Sequence, residues 1–229
     1  MPIAANYLSV SLSLLFAPTL CRRIRLWAEK SLSPVASPFG ATLALLSFVG
    51  LMPNASGLLG VTSNERNWSV DVNGVRIVGM DSSEPDQNEG KVGRGHYEWL
   101  RERFAEPAEL KVFVLHHHLL PIPGTGRERS TVMDAGDLLE VLVHAGVHVV
   151  LSGHKHVPYA WRLEDMFIVN TGTVSSLRLR GNTRPCYNVI EVDGDHVEVR
   201  RRYPYHGEEP MIRFSTETHA YEKSTGAIE

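Results

Sequence analysis

One short stretch constrains the chain more than any other. The apolar run Val147-His148-Val149-Val150-Leu151 ends in Ser152-Gly153-His154-Lys155-His156. A brief β-branched run bounded by glycine reads as a buried strand. Residues i and i+2 of an extended segment point to one side, which would put His154 and His156 together. Two neutral imidazoles on one side make half of a metal site, because histidine is the commonest metal ligand. Gly153 permits a tight turn in front of them. Taken alone, the pair reads equally well as two surface histidines after a strand.

A second stretch changes that balance. Lys111-Val112-Phe113-Val114-Leu115 is another strand-like run, and it ends in His116-His117-His118. Between the two runs, residues 134–146 read as an amphipathic helix. It has Asp134 and Asp137 in an acidic first turn, apolar Leu138, Leu139, Leu142 and Val143, and a terminating Gly146. Residues 111–156 are therefore a strand–loop–helix–strand unit with histidines at both strand ends. A right-handed crossover would set those ends side by side. In open α/β sheets, ligands bind just beyond the carboxyl ends of the strands.

An apolar strand followed by His-His, and later Gly-His-x-His, resembles the calcineurin-like metallophosphoesterases over roughly residues 65–203. The resemblance implies an α/β sandwich of two β-sheets flanked by helices. It implies a centre of two divalent cations (manganese, iron or zinc) that hydrolyses phosphoesters. Carried over, His116, His154 and His156 are metal ligands: His116 and His154 hold one cation and His156 the other. His117 or His118 replaces His116 if the strand ends later. Asn170-Thr171-Gly172-Thr173, after the strand at 166–169, resembles the family's late loop beside the metals. Cupins and metallo-β-lactamases also use His-x-His, but Ala160 and Trp161 stand where a cupin needs glutamate. Val157, Pro158 and Tyr159 break the metallo-β-lactamase pattern.

The amino-terminal part does not fit. Residues 1–64 hold one acidic side chain, Glu29, and residues 31–64 hold no charge at all, while all 11 histidines lie beyond them. The family's Asp-x-His, Gly-Asp and Gly-Asn-His motifs have no counterpart, since no aspartate precedes Asp71 and no histidine precedes His96. The fold is therefore expected to be incomplete at its amino terminus, without the bridging carboxylate or the catalytic Asn-His. Three readings of this segment compete: a membrane span near 41–61, a secretory signal around 8–20, or sequence from a shifted frame or truncated gene start. The third is favoured, because glycines and a proline interrupt the apolar run and no basic residue precedes the would-be signal.

The division expected is an atypical segment 1–64, a phosphoesterase-like domain 65–203 and a polar tail 204–229. Within the domain, Trp68 to Val72 and Val75 to Met80 read as a hairpin around Asn73-Gly74. Residues 95–104 read as a helix with Tyr97, Leu100 and Phe104 on one face. Two further hairpins are read, at 158–170 and 187–201. The acidic loop 81–86 reads mainly as solvated. In the loop after the histidine run, Arg127 and Arg129 are candidate phosphate clamps, because guanidinium binds phosphate in a bidentate manner.

The net charge of −3 gives no general electrostatic case for nucleic acid or an anionic membrane. Two cysteines, Cys21 and Cys186, do not make a disulfide framework, which fits a reducing, cytoplasmic setting, with membrane association as the alternative. The expected partner is a phosphoester substrate. With half the ligands absent, the chain is expected to turn over weakly or not at all. The alternative is a non-catalytic remnant or binding module on the same fold.

Overall fold

In the computed structural model, residues 6–10, 62–63, 67–84, 86–123, 125, 132–174, 179, 183–204 and 206–223 are described. The readings made for residues 11–61, and for Arg127 and Arg129, lie outside these. The strands are β1 (Asn6–Val10), β2 (Thr62–Ser63), β3 (Asn67–Val72), β4 (Val75–Met80), β5 (Leu110–Leu115), β6 (Val149–Ser152), β7 (Tyr159–Leu163), β8 (Met166–Asn170), β9 (Tyr187–Asp193), β10 (His196–Tyr203), β11 (Gly207–Ser215) and β12 (Tyr221–Lys223). The helices are α1 (Tyr97–Ala105) and α2 (Ala135–His144). No helix among the described residues is long and apolar enough to cross a membrane.

β4, β5, β6 and β8 lie side by side and parallel, in a seven-stranded sheet of order β2-β3-β4-β5-β6-β8-β7. Their sequences are near-continuous apolar runs because both faces of the sheet are covered. Ile77, Val112, Val149 and Phe167 point into a core shared with the second sheet. Their neighbours Val78, Phe113, Val150 and Ile168 point the other way, onto the helices. The helix layer answers with Tyr97, Leu100 and Phe104 from α1 and Leu138, Leu139, Val141 and Leu142 from α2. Burying each such large side chain stabilises the fold by about 1.5–3 kcal/mol. The result is helices on a mixed sheet on an antiparallel sheet.

The second sheet has five strands in the order β1-β9-β10-β11-β12, every neighbour antiparallel. It includes residues 207–223, which the sequence assigns to a polar tail. Met211, Ile212 and Phe214 are buried against the first sheet, and the strand shifts register between Val199 and Arg200. That burial holds the segment in place although its remaining side chains are polar. The first hairpin turns at Asn73 (φ 46°) and Gly74 (φ 80°), both left-handed. This is the backbone a two-residue turn requires.

The parallel arrangement fixes where chemistry can gather. Met80 is in register with Leu115, Val114 with Leu151, and Ser152 with Asn170. Four strands therefore end along one edge. The segments just past their ends (Asp81-Ser82, His116-His117-His118, Gly153-His154 and Thr171) meet there.

Candidate metal centre

The splice between β5 and β6 continues past the strands. The N–H of Gly153 donates to the carbonyl of His116 at 3.0 Å, and that of Thr171 to Ser152 at 2.8 Å. Beyond Ser152 the backbone is not extended. His154 (φ 70°) and His156 (φ 60°) are both left-handed, and the N–H of Lys155 donates back to Gly153 at 2.9 Å. The sequence argument for placing the two imidazoles on one side assumed an extended segment, and the structure replaces it with a coiled turn. Holding a residue with a Cβ in the left-handed region costs about 1–2 kcal/mol. Such strain clusters where function requires it.

The turn brings His154 onto His116. Their Nδ1 and Nε2 atoms are 3.1 Å apart. Two nitrogens bound at about 2.0–2.1 Å to one tetrahedral cation stand about 3.4 Å apart, so this pair is spaced as an edge of a coordination shell. His117 completes a group of three, with one nitrogen from each of His116, His117 and His154 lying within 4.8 Å of the others. His156, expected as a ligand, is outside this group, yet its charge still depresses the protonation of His116.

Burial favours the neutral form of His116, His117, His118 and His154. Burial, then the charges of His117 and His156, push His116 down to about 4, against an opposing pull from Asp81. Burial and the neighbouring histidines push His154 down to about 3. Burial lowers His117 as well. His118 is pushed down to about 4 by burial and by the buried Lys155. Neutral imidazole is the ligating form, so no proton has to leave before a cation binds near neutral pH. His118 is fully buried, neither ring nitrogen has a hydrogen-bond partner among the described residues, and it stacks on His154 at 5.9 Å. The donor set is all nitrogen, which suits zinc or iron better than magnesium or calcium. By this test, the residues present fit a transition-metal ion.

Ser82 and Gly90 were not legible as parts of this site, whereas Asn170 and Thr171 belong to the loop that the sequence places beside the metals. Ser82, buried after β4, bonds the ring of His117 at 2.8 Å. Gly90 packs on the same ring so closely that a Cβ would lie 2.6 Å from Nδ1. The Ser152 hydroxyl donates to the Asn170 side-chain oxygen, which ties β6 to β8 below the turn. The Asn170 amide nitrogen and the Thr171 hydroxyl are buried with no partner among the described residues. A short polar residue soon after a parallel strand was the one available signal for Ser82.

The family model described as calcineurin-like phosphoesterase matches residues 32–158, more than half of the chain and starting upstream of the resemblance read from residue 65. A "probable cyclic nucleotide phosphodiesterase" of Synechococcus is 33% identical over 86 residues, covering 37% of this chain and 34% of that protein. A "cAMP/cGMP dual specificity phosphodiesterase" of Mycobacterium tuberculosis is 34% identical over 88 residues, 37% of this chain and 27% of that one. A "probable metallophosphoesterase" of Methanothermobacter thermautotrophicus is 30% identical over 113 residues, 48% of this chain and 58% of that protein. The chain thus spans about a third of the first relative's length and under two thirds of the others. Among solved structures, a purple acid phosphatase from yellow lupin superposes with a TM-score of 0.47 at 15% identity, covering 74% of this chain and 34% of that one. With the family model matched over more than half of its length, the chain belongs to the calcineurin-like phosphoesterase family.

Proposed function

We propose that the chain hydrolyses phosphoesters at a metal centre on the shared edge of β5 and β6. The observation that carries this is the His116–His154 pair: two neutral imidazoles from adjacent parallel strands, 3.1 Å apart. In this reading His116 and His154 hold one divalent cation of zinc, iron or manganese type. His156, on the same coiled turn, is the ligand toward a second cation. The metal supplies a Lewis acid to the phosphoryl oxygens. The chain's own part is to present both nitrogens deprotonated, to keep them fixed through the Gly153–His116 bond, and to exclude bulk water behind them with buried His118 and Lys155. Arg127 and Arg129 are assigned the clamping of phosphate oxygens. A cyclic nucleotide is the first substrate to test, because several relatives carry that name. A cytoplasmic setting accords with Cys186, a buried free thiol.

Turnover by this sequence is expected to be slow, because no Asp-x-His, Gly-Asp or Gly-Asn-His motif precedes His116 to complete a two-cation site. The test is calorimetric titration of the full, metal-free chain with zinc and manganese, followed by hydrolysis of bis(p-nitrophenyl) phosphate and cyclic AMP. Saturable binding that His116→Ala or His154→Ala weakens by about a hundredfold or more supports the reading. Absence of saturable binding refutes it. Stoichiometric binding without hydrolysis of either substrate assigns the chain to a non-catalytic branch of the family.

A further inference from the structure

Ser82 lies two residues past β4 and is fully buried. Among the described residues its hydroxyl has two neighbours, both on His117: the main-chain N–H at 3.3 Å and ring Nδ1 at 2.8 Å. The main-chain N–H can only donate, so it occupies a lone pair on Oγ. The hydroxyl proton then has one acceptor within reach, Nδ1. A buried hydroxyl that withheld its proton would be an unpaired donor, which native structures avoid. Nδ1 therefore accepts, and the neutral ring carries its proton on Nε2. A ligating imidazole needs the reverse: one nitrogen on the cation and an N–H on the other, donating to a second group.

We propose that His117 serves this site as an Nε2–H donor to a phosphoryl oxygen, its tautomer set by Ser82, and is not a metal ligand. The proposal rests on the phosphoester reading above. Its geometry is local. The His117 ring lies 4.5 Å from that of His154 and 4.7 Å from that of His116, beside the pair assigned to the cation. Gly90 packs against the same edge of the ring, where a Cβ would lie 2.6 Å from Nδ1. Ser82 is thus a positioning residue: it acts on substrate only through His117. The main-chain carbonyl of Asn88 also lies beside the ring and is the rival acceptor. Were Nδ1–H to donate there, the tautomer would reverse.

The tautomer is read directly, without metal or substrate, by long-range proton–nitrogen correlation on the ¹⁵N-labelled full chain. The expected wild-type result is Nε2–H for His117, assigned by its loss in His117→Ala. Ser82→Ala should abolish the preference. Zinc titration should place His117→Ala within about threefold of wild type, whereas His116→Ala and His154→Ala lose about a hundredfold or more. Inorganic phosphate should bind the zinc-loaded His117→Ala protein about tenfold more weakly, as loss of one hydrogen bond to an anion implies. His117→Gln, which keeps a donor, should recover part of that loss. An Nδ1–H signal in wild type, or loss of zinc by His117→Ala to the extent seen for His154→Ala, overturns the proposal. Failure of the phosphoester reading shows separately, as absence of zinc binding by the wild type. That result removes the donor's role and leaves the tautomer standing.

Discussion

Gly90→Ala tests whether the His117 ring is as tightly held as the structure implies. Gly90 is not among the residues with positive φ, so alanine suits its backbone and the cost is steric alone. An added Cβ would stand 2.6 Å from Nδ1, 2.7 Å from Cγ and 2.9 Å from Cβ of His117, where ordinary contact begins at 3.4 Å. The Gly90 backbone cannot easily retreat, because its carbonyl accepts from the N–H of Met133 at 2.7 Å. The ring must therefore give by about 0.8 Å, which stretches the 2.8 Å Ser82 contact to about 3.6 Å, beyond a hydrogen bond. Overpacking costs about 1–3 kcal/mol, and an orphaned buried hydroxyl about 1–3 kcal/mol more. Because one movement relieves the first while causing the second, the expected loss is about 2–4 kcal/mol. Urea unfolding of wild type, Gly90→Ala and the control Gly95→Ala measures it. A methyl group added at Gly95 would meet nothing within 4 Å, so that control should be neutral. A Gly90→Ala protein within about 1 kcal/mol of wild type, with an unchanged m-value, would refute the reasoning.

Gly136→Ala, in the first turn of α2 with open space around its Cβ position, should stabilise by about 0.5–1 kcal/mol, and a lower urea midpoint would contradict this. Asp134 braces the loop before α1 by accepting from the N–H groups of Val92 (3.0 Å) and Gly93 (2.6 Å) and from the Tyr97 hydroxyl (2.7 Å). Burial alone would raise its protonation, but these bonds outweigh it and hold the carboxyl below its usual range. Its contribution should be complete above the unfolded value near pH ~4 and vanish as pH falls through the lower folded value. The gap between wild type and Asp134→Asn in urea midpoint should accordingly close as pH falls below the usual carboxylate range, and a constant gap would exclude the brace. His148, whose Nδ1 accepts from the N–H of Lys111 at 3.0 Å, is pushed down to about 4 by burial and by the Lys111 charge. The unfolded chain binds that proton near pH ~6.5, so stability should be full above pH ~6.5 and fall toward pH ~4. His148→Gln should flatten that slope, and an unaltered slope would dismiss the contribution.

Much of the fold was legible because it rests on local chemistry. Asn73-Gly74 dictates a hairpin wherever it stands. Tyr97, Leu100 and Phe104 at spacings of three and four become the buried face of α1. Leu138, Leu139 and Leu142 do the same for α2, with Val141 in addition and Val143 only partly buried. The segment beyond Pro204 was harder to read. Charged and polar residues are interspersed with its apolar ones, and only the sheet beneath it shows why Met211, Ile212 and Phe214 anchor β11.

The site divides in the same way. Two apolar strands ending in histidines, with a helix between them, are determined by the order of residues, and so is the absence of the family's upstream ligand motifs. Which imidazoles meet was decided by tertiary structure. His154 reaches His116 because the chain coils left-handed after Gly153, a backbone choice that alternation along an extended strand does not foresee. His117, Ser82 and Gly90 come together because β4 and β5 pair in parallel, with Met80 beside Leu115. Periodicity along one element is written in the sequence, but the register between elements distant in the chain is set by which packed arrangement buries both faces of the sheet at once.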